Sequence, residues 1–132
     1  MPDIENIVVP AGGGGLLSGI ATAVKNKAPH VKVYGVQSEK APAIYLGKKQ
    51  NKWVSHPSGK TIADGCAVGM PGKLTFSLIQ KYVDDMLLVK EEDIAEILSY
   101  GIMTLPGLVV DGRVVSAGRK LSLAEVKELL NR

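Results

Sequence analysis

Four consecutive glycines, Gly12, Gly13, Gly14 and Gly15, are the feature of this sequence with the clearest chemical meaning. They follow a short apolar run, Ile7-Val8-Val9, closed by Pro10. They precede Leu16 and a stretch whose apolar residues 16, 17, 20, 21 and 24 fall at helical spacing. A glycine turn between a strand and a helix leaves backbone N–H groups uncovered at the positive end of the helix dipole. That is the setting in which a phosphate or another anion binds. The competing explanation is a tight turn that needs glycine only for close packing. The common nucleotide fingerprints fail here. G-x-G-x-x-G read from Gly12 requires glycine where Leu17 stands, and read from Gly13 it meets Ser18. Ser58-Gly59-Lys60-Thr61 resembles the end of a P-loop but has Val54 where the first glycine belongs.

Other reactive side chains offer less. His30 and His56 have no cysteine or aspartate at ligand spacing, so no metal site is expected. Cys66 is the single cysteine, which excludes a disulfide framework and a CxxC pair within the chain; it reads as a small buried residue. Asp84-Asp85 and Glu91-Glu92-Asp93 read as solvated loop acids and helix-capping acids. No lysine stands in an apolar setting that would depress its pKa. A Ser-His-Asp triad can be assembled from many residues here and carries no information.

The elements that position these groups follow from periodicity. Residues 7–9 form a buried strand, 16–27 a helix stopped by Pro29, and 31–37 a second strand, which together make a βαβ unit with parallel strands. A helix is expected around 41–49. Pro57, Gly59, Gly65, Gly69, Pro71 and Gly72 then mark an irregular stretch. The spacing predicts a helix over 74–82 with 74, 78, 79 and 82 on one face, a strand over 85–89 and a helix over 91–100. Two β-branched runs around Asp111-Gly112 signal a hairpin, and Ser122 with Glu125 forms a capping box for a last helix. These elements predict one α/β domain over 1–132. It has three layers and a mixed, mostly parallel sheet of about five strands, ordered βαβ, then βα, then ββα.

Composition narrows the function. The chain has 132 residues, enough for one domain, with 45% hydrophobic residues, which excludes intrinsic disorder. A net charge of +3 with 5% aromatic residues argues against a nucleic-acid reader. The uncharged run 7–24 is broken by Pro10 and the glycines and lacks a basic leader, so neither a membrane span nor a signal peptide is expected. A soluble cytoplasmic protein is expected. Its partners would be a small anion, or a second copy joined through a sheet edge.

Two families are recognisable in longer stretches. V-V-P-A-G-G-G-G-L-L-S-G-I-A (8–21), V-Y-G-V-Q-S-E (33–39), T-I-A-D-G-C-A-V (61–68), P-G-K-L-T-F-S-L-I (71–79) and Y-V-D-D-M-L-L-V (82–89) resemble the pyridoxal-phosphate domain of threonine dehydratases. The resemblance implies that Gly12, Gly13, Gly14, Gly15 and Leu16 cradle the cofactor phosphate. Residues 100–122 and the closing helix resemble the second half of a thioredoxin-like protein, in which Pro106 would be cis.

Neither resemblance brings its reactive group. The dehydratase lysine that forms the Schiff base belongs to an earlier segment of that family, and the thioredoxin CxxC is not present. The pair of resemblances therefore implies an engineered chimera of 1–97 and 98–132. Such a chain would be a non-enzyme that requires no cofactor and retains weak phosphate or pyridoxal-phosphate binding. The alternative is a natural threonine-dehydratase-related module that binds a small anion.

Overall fold

The computed structural model describes residues 3–99 and two further strands, Gly107–Val110 and Arg113–Ala117. The chain divides into two compact units, Ile4–Glu91, and Met1–Asp3 with Glu92–Arg132. The first unit contains β1 (Asn6–Pro10), α1 (Gly15–Lys27), β2 (Lys32–Ser38), α2 (Ala43–Gln50), α3 (Lys73–Tyr82) and β3 (Asp85–Val89). A single 3-10 turn, Asp64–Cys66, lies between α2 and α3. Helix α4 (Glu91–Ser99) begins at the boundary, and the second unit carries β4 (Gly107–Val110) and β5 (Arg113–Ala117).

The strands of the first unit form a parallel sheet in the order β1-β2-β3. Val9 lies opposite Gly35, and Gly35 opposite Met86. Pro10 has no N–H to give a ladder, and it sits at the end of β1, an edge strand. The pairing continues one residue further, where the Ala11 N–H donates to the Val36 carbonyl at 2.9 Å.

Local signals explain the helix ends. Lys25 and Lys27 occupy the last turn of α1, where cations meet the negative end of the dipole, and Pro29 follows. Helix α2 closes on Asn51, at φ 54°, a left-handed conformation that asparagine tolerates.

The core lies on one face of this sheet. Val9, Val33 and Met86 from the strands meet Leu17 and Ala21 of α1, Ile44 of α2, and Phe76 and Ile79 of α3. Gly35 permits that approach, because a Cβ there would collide with the Met86 sulfur and the Leu17 side chain. On the opposite face Val8 is 59% exposed and Leu87 43% exposed. Among the described residues of this unit, the core helices thus pack on one face of the sheet.

Two expectations are corrected. Where a single mixed sheet of about five strands is expected, the strands among the described residues fall in two sheets: a parallel one of three strands, and β4 paired antiparallel with β5. The hairpin has the predicted antiparallel pairing, with a register irregularity between Leu108 and Val109. The buried face of α3 is also rotated. Leu74 is 73% exposed, and Phe76, Ile79 and the following Val83 go inside. The Phe76 ring is the cause, since it packs where a side chain at Gly47 would otherwise stand. The thioredoxin-like features around Pro106 and the helix after Ser122 lie outside the described residues.

Candidate functional site

The glycine loop joins the end of β1 to the start of α1, at the carboxyl end of the parallel sheet. This is where open α/β sheets generally bind ligands. Gly14 is the residue before the helix and takes φ 95°, ψ 1°. It is buried, and a Cβ there would stand 2.8 Å from Cδ1 of Ile79 and 3.2 Å from Cδ1 of Ile44. Both backbone conformation and packing therefore demand glycine at 14. At Gly13 and Gly15 a Cβ would meet nothing within 4 Å, so the loop opens into free space there.

The carbonyls of Gly13, Gly14 and Gly15 are engaged, whereas no acceptor is shown for the loop amides. The Gly13 carbonyl accepts from the Thr75 hydroxyl at 2.8 Å and from the Gly72 N–H at 3.3 Å. The Gly14 carbonyl accepts the Ser18 N–H, and the Gly15 carbonyl accepts the Ser18 hydroxyl at 3.0 Å. Among the described residues, no protein acceptor receives the N–H groups of Gly12, Gly13, Gly14, Gly15 or Leu16. Five successive N–H groups without a protein acceptor among the described residues thus stand at the head of a 13-residue helix, an arrangement that can meet an anion. All five residues expected from the sequence are thus brought together.

Three surrounding parts are not evident from the glycine motif. Gln37 is 1% exposed. Its Nε2 donates to the Ala11 carbonyl at 3.3 Å and its Oε1 accepts the Tyr45 N–H at 2.9 Å, tying the loop entrance to α2. The signal for it was an amide on the core-facing positions of β2, after Val33 and Gly35. Thr75 fastens the loop to α3. The 3-10 turn forms a wall, since a Cβ on Gly12 would stand 3.2 Å from Cα of Cys66, 3.3 Å from Cγ2 of Val68 and 3.4 Å from the Gly65 carbonyl oxygen.

Cys66 is half-buried rather than buried. Burial and the neighbouring Asp64 push its thiol pKa up, which disfavours a thiolate nucleophile. Lys48 corrects the expectation that no lysine is depressed. Burial lowers its pKa, against the opposing influence of Asp85 and Asp84, and its Nζ lies 3.5 Å from the Ile79 carbonyl.

The acids are more specifically engaged than loop solvation implies. Asp84 Oδ2 accepts from Lys25 Nζ at 2.7 Å and from the Val33 N–H at 2.7 Å. Partial desolvation pushes the Asp84 carboxyl up, and those two donors outweigh it, leaving its pKa below the ordinary value. Asp85 is held down by the Lys49 ammonium at 3.1 Å and by the Met86 N–H. Glu91 accepts from Ser38 and Ile62.

A family model for pyridoxal-phosphate dependent enzymes matches residues 1–104. An L-threonine ammonia-lyase of Thermotoga maritima is 42% identical over 118 residues, 89% of this chain and 28% of that protein. One from Geobacter sulfurreducens is 47% identical over 95 residues, 72% of this chain and 24% of that protein. The processed form of threonine deaminase isoform 2 from Solanum lycopersicum aligns with a TM-score of 0.72 at 35% identity, covering 75% of this chain and 29% of that one. Maize serine racemase aligns with a TM-score of 0.72 at 32% identity, over 78% of this chain and 32% of that one. The chain thus spans only 24–28% of these curated relatives' length.

These findings overturn the reading as an engineered chimera without activity. The match to the Thermotoga protein covers 89% of the chain, more than residues 1–97 can supply. They favour the natural, threonine-dehydratase-related alternative.

Proposed function

The chain belongs to the pyridoxal-phosphate dependent enzyme family, and from that premise we propose that it is the phosphate-holding part of a threonine ammonia-lyase-type activity. The supporting observation is the set of free N–H groups on Gly12, Gly13, Gly14, Gly15 and Leu16 at the head of α1. The residues present fit a phosphate. The loop carbonyls are engaged by Thr75, Gly72 and Ser18, so the anion meets donors while those acceptors are occupied.

When bound, pyridoxal phosphate supplies an electron sink for charge developing at the substrate α-carbon. This chain's own part is to hold and orient. The amides and the α1 dipole bind the phosphate, Gln37 fixes the loop entrance at Ala11, Thr75 fixes Gly13, and the turn Asp64–Cys66 covers Gly12. A helix N-terminus contributes ~0.3–2 kcal/mol toward an anion. Millimolar affinity corresponds to about 4 kcal/mol, so several amides must act together.

The related enzymes are named for threonine, and L-threonine with L-serine are the proposed substrates of the intact activity. We take the chain as a soluble cytoplasmic protein; separately, no described helix is long and apolar enough to cross a membrane. Amide NMR with added pyridoxal phosphate tests the binding step. Saturable shifts centred on Gly12, Gly13, Gly14, Gly15 and Leu16 are expected at millimolar ligand or below. Unmoved loop amides overturn the reading.

A further inference from the structure

The wall over Gly12 is held by a residue well outside it. Glu91 is the first residue of α4 and belongs to the unit Ile4–Glu91. Its Oε1 accepts from the Ser38 hydroxyl at 2.7 Å, at the last residue of β2. Its Oε2 accepts from the Ile62 N–H at 2.8 Å, and the Thr61 hydroxyl also donates to it. The Thr61 Oγ1 in turn accepts the Ala63 N–H at 3.1 Å. The Cys66 N–H donates to the Ala63 carbonyl at 2.9 Å, closing the turn whose Cys66 Cα and Gly65 carbonyl face Gly12. One carboxylate thus fastens both the sheet end and the segment leading into the wall.

We infer that Glu91 is the positioning residue for the anion cradle, setting the wall 63–68 against Gly12 through Ser38, Thr61 and Ile62. This rests on the reading that the glycine loop holds a phosphate, and it names the residue that regulates that site. The physical reason is the number of acceptor positions required. An ionised carboxylate accepts at both oxygens, whereas a protonated acid or an amide gives up part of that capacity. The Ile62 N–H, then the Thr61 and Ser38 hydroxyls, hold the Glu91 carboxyl below its ordinary pKa. Lys40, following β2, is the charged group that faces it and acts in the same direction. The 60s segment meets it with neutral donors, and on its own helix Glu92 and Asp93 follow in sequence.

Sulfate is the probe, because it is a tetrahedral dianion whose charge is constant over the range needed. Its affinity is read from amide shifts of Gly12, Gly13, Gly14, Gly15 and Leu16 in the full chain, in wild type, Glu91→Gln and Ser38→Ala, between neutral and acid pH. In wild type the affinity falls as pH drops below the ordinary glutamate range, where the depressed Glu91 carboxyl takes up its proton. Glu91→Gln, with dispersed amide resonances, is expected to bind at least threefold more weakly at neutral pH. It should also lack the acid step and show shifted resonances over 63–68. A folded Glu91→Gln with wild-type affinity and a wild-type pH profile overturns the inference.

Ser38→Ala keeps the charge and the Ile62 contact and is expected to weaken sulfate about twofold. If Glu91→Gln does not fold, wild-type affinity in Ser38→Ala overturns the inference instead. Wild type that binds neither sulfate nor phosphate removes the phosphate reading itself, and the role of Glu91 with it.

Discussion

The Thr75 hydroxyl lies 2.8 Å from the carbonyl oxygen of Gly13, a residue 62 positions earlier in the chain. The Thr75 hydroxyl also lies 3.0 Å from the Gly72 carbonyl oxygen, so its one proton is shared between two acceptors. This contact commits the Gly13 carbonyl to α3 and leaves the loop with its amides as the free groups. The first turn of α3 thereby engages the carbonyl side of the loop at the start of α1.

Replacing Thr75 with valine keeps the shape and removes the donor. A single hydrogen bond contributes ~1 kcal/mol, so Thr75→Val should lower stability by about that amount in urea unfolding. Phosphate affinity should fall as well, because the Gly13 carbonyl keeps only the longer 3.3 Å bond from the Gly72 N–H and is less firmly turned away from the anion. Unchanged phosphate shifts on the loop amides would show that Thr75 is a packing residue only.

Gly14→Ala should be severe. The left-handed backbone costs ~1–2 kcal/mol for a side-chain-bearing residue, and overpacking against Ile79 and Ile44 adds ~1–3 kcal/mol. Gly15→Ala, at a position with open space, should cost less than ~1 kcal/mol in thermal unfolding. A similar loss at both positions would contradict the packing shown for Gly14.

Gln37→Leu removes a buried amide and orphans both of its partners at once. The Ala11 carbonyl and the Tyr45 N–H would each lose a bond, at ~1–3 kcal/mol per buried orphaned group. Gln37→Glu keeps the acceptor for Tyr45 but places a carboxyl against the Ala11 carbonyl. It should be stable only while protonated, so its urea midpoint should rise toward acid pH relative to wild type.

Asp84 sets an acid limit on stability. Its folded pKa is depressed, so its contribution is fully present above the unfolded value of about 3.9 and is lost as pH falls through the folded value. Wild type should therefore lose stability below about pH 4. Asp84→Asn should be less stable at neutral pH and show a shallower acid slope. Parallel pH–stability curves for the two proteins would exclude this role for the pairing with Lys25 and Val33.

Cys66 should be slow to alkylate. Burial and Asp64 raise its thiol pKa, so the thiolate fraction at neutral pH lies below that of a free cysteine. Iodoacetamide labelling should be several-fold slower than for a model thiol and should approach it on unfolding. Labelling of the folded protein as fast as the model thiol would refute the burial argument.

Much of this protein is present in its local chemistry. The βαβ unit, strand β3 over 85–89 and the hairpin follow from periodicity and turn residues, because side-chain direction is fixed by backbone repeat. The glycine loop was legible for the same reason: Gly14 takes a backbone that only glycine suits, and the loop's place between strand and helix is set by neighbours. Tertiary structure decided what no repeat encodes. The Phe76 ring chose the buried face of α3, and Gln37 and Thr75 became loop anchors through partners 26 and 62 residues away. Glu91 became a latch rather than a helix-capping acid because Ser38 and Ile62 converge on it. Long-range hydrogen bonds and ring packing depend on which surfaces meet, and that is settled only when the whole sheet and its helices close together.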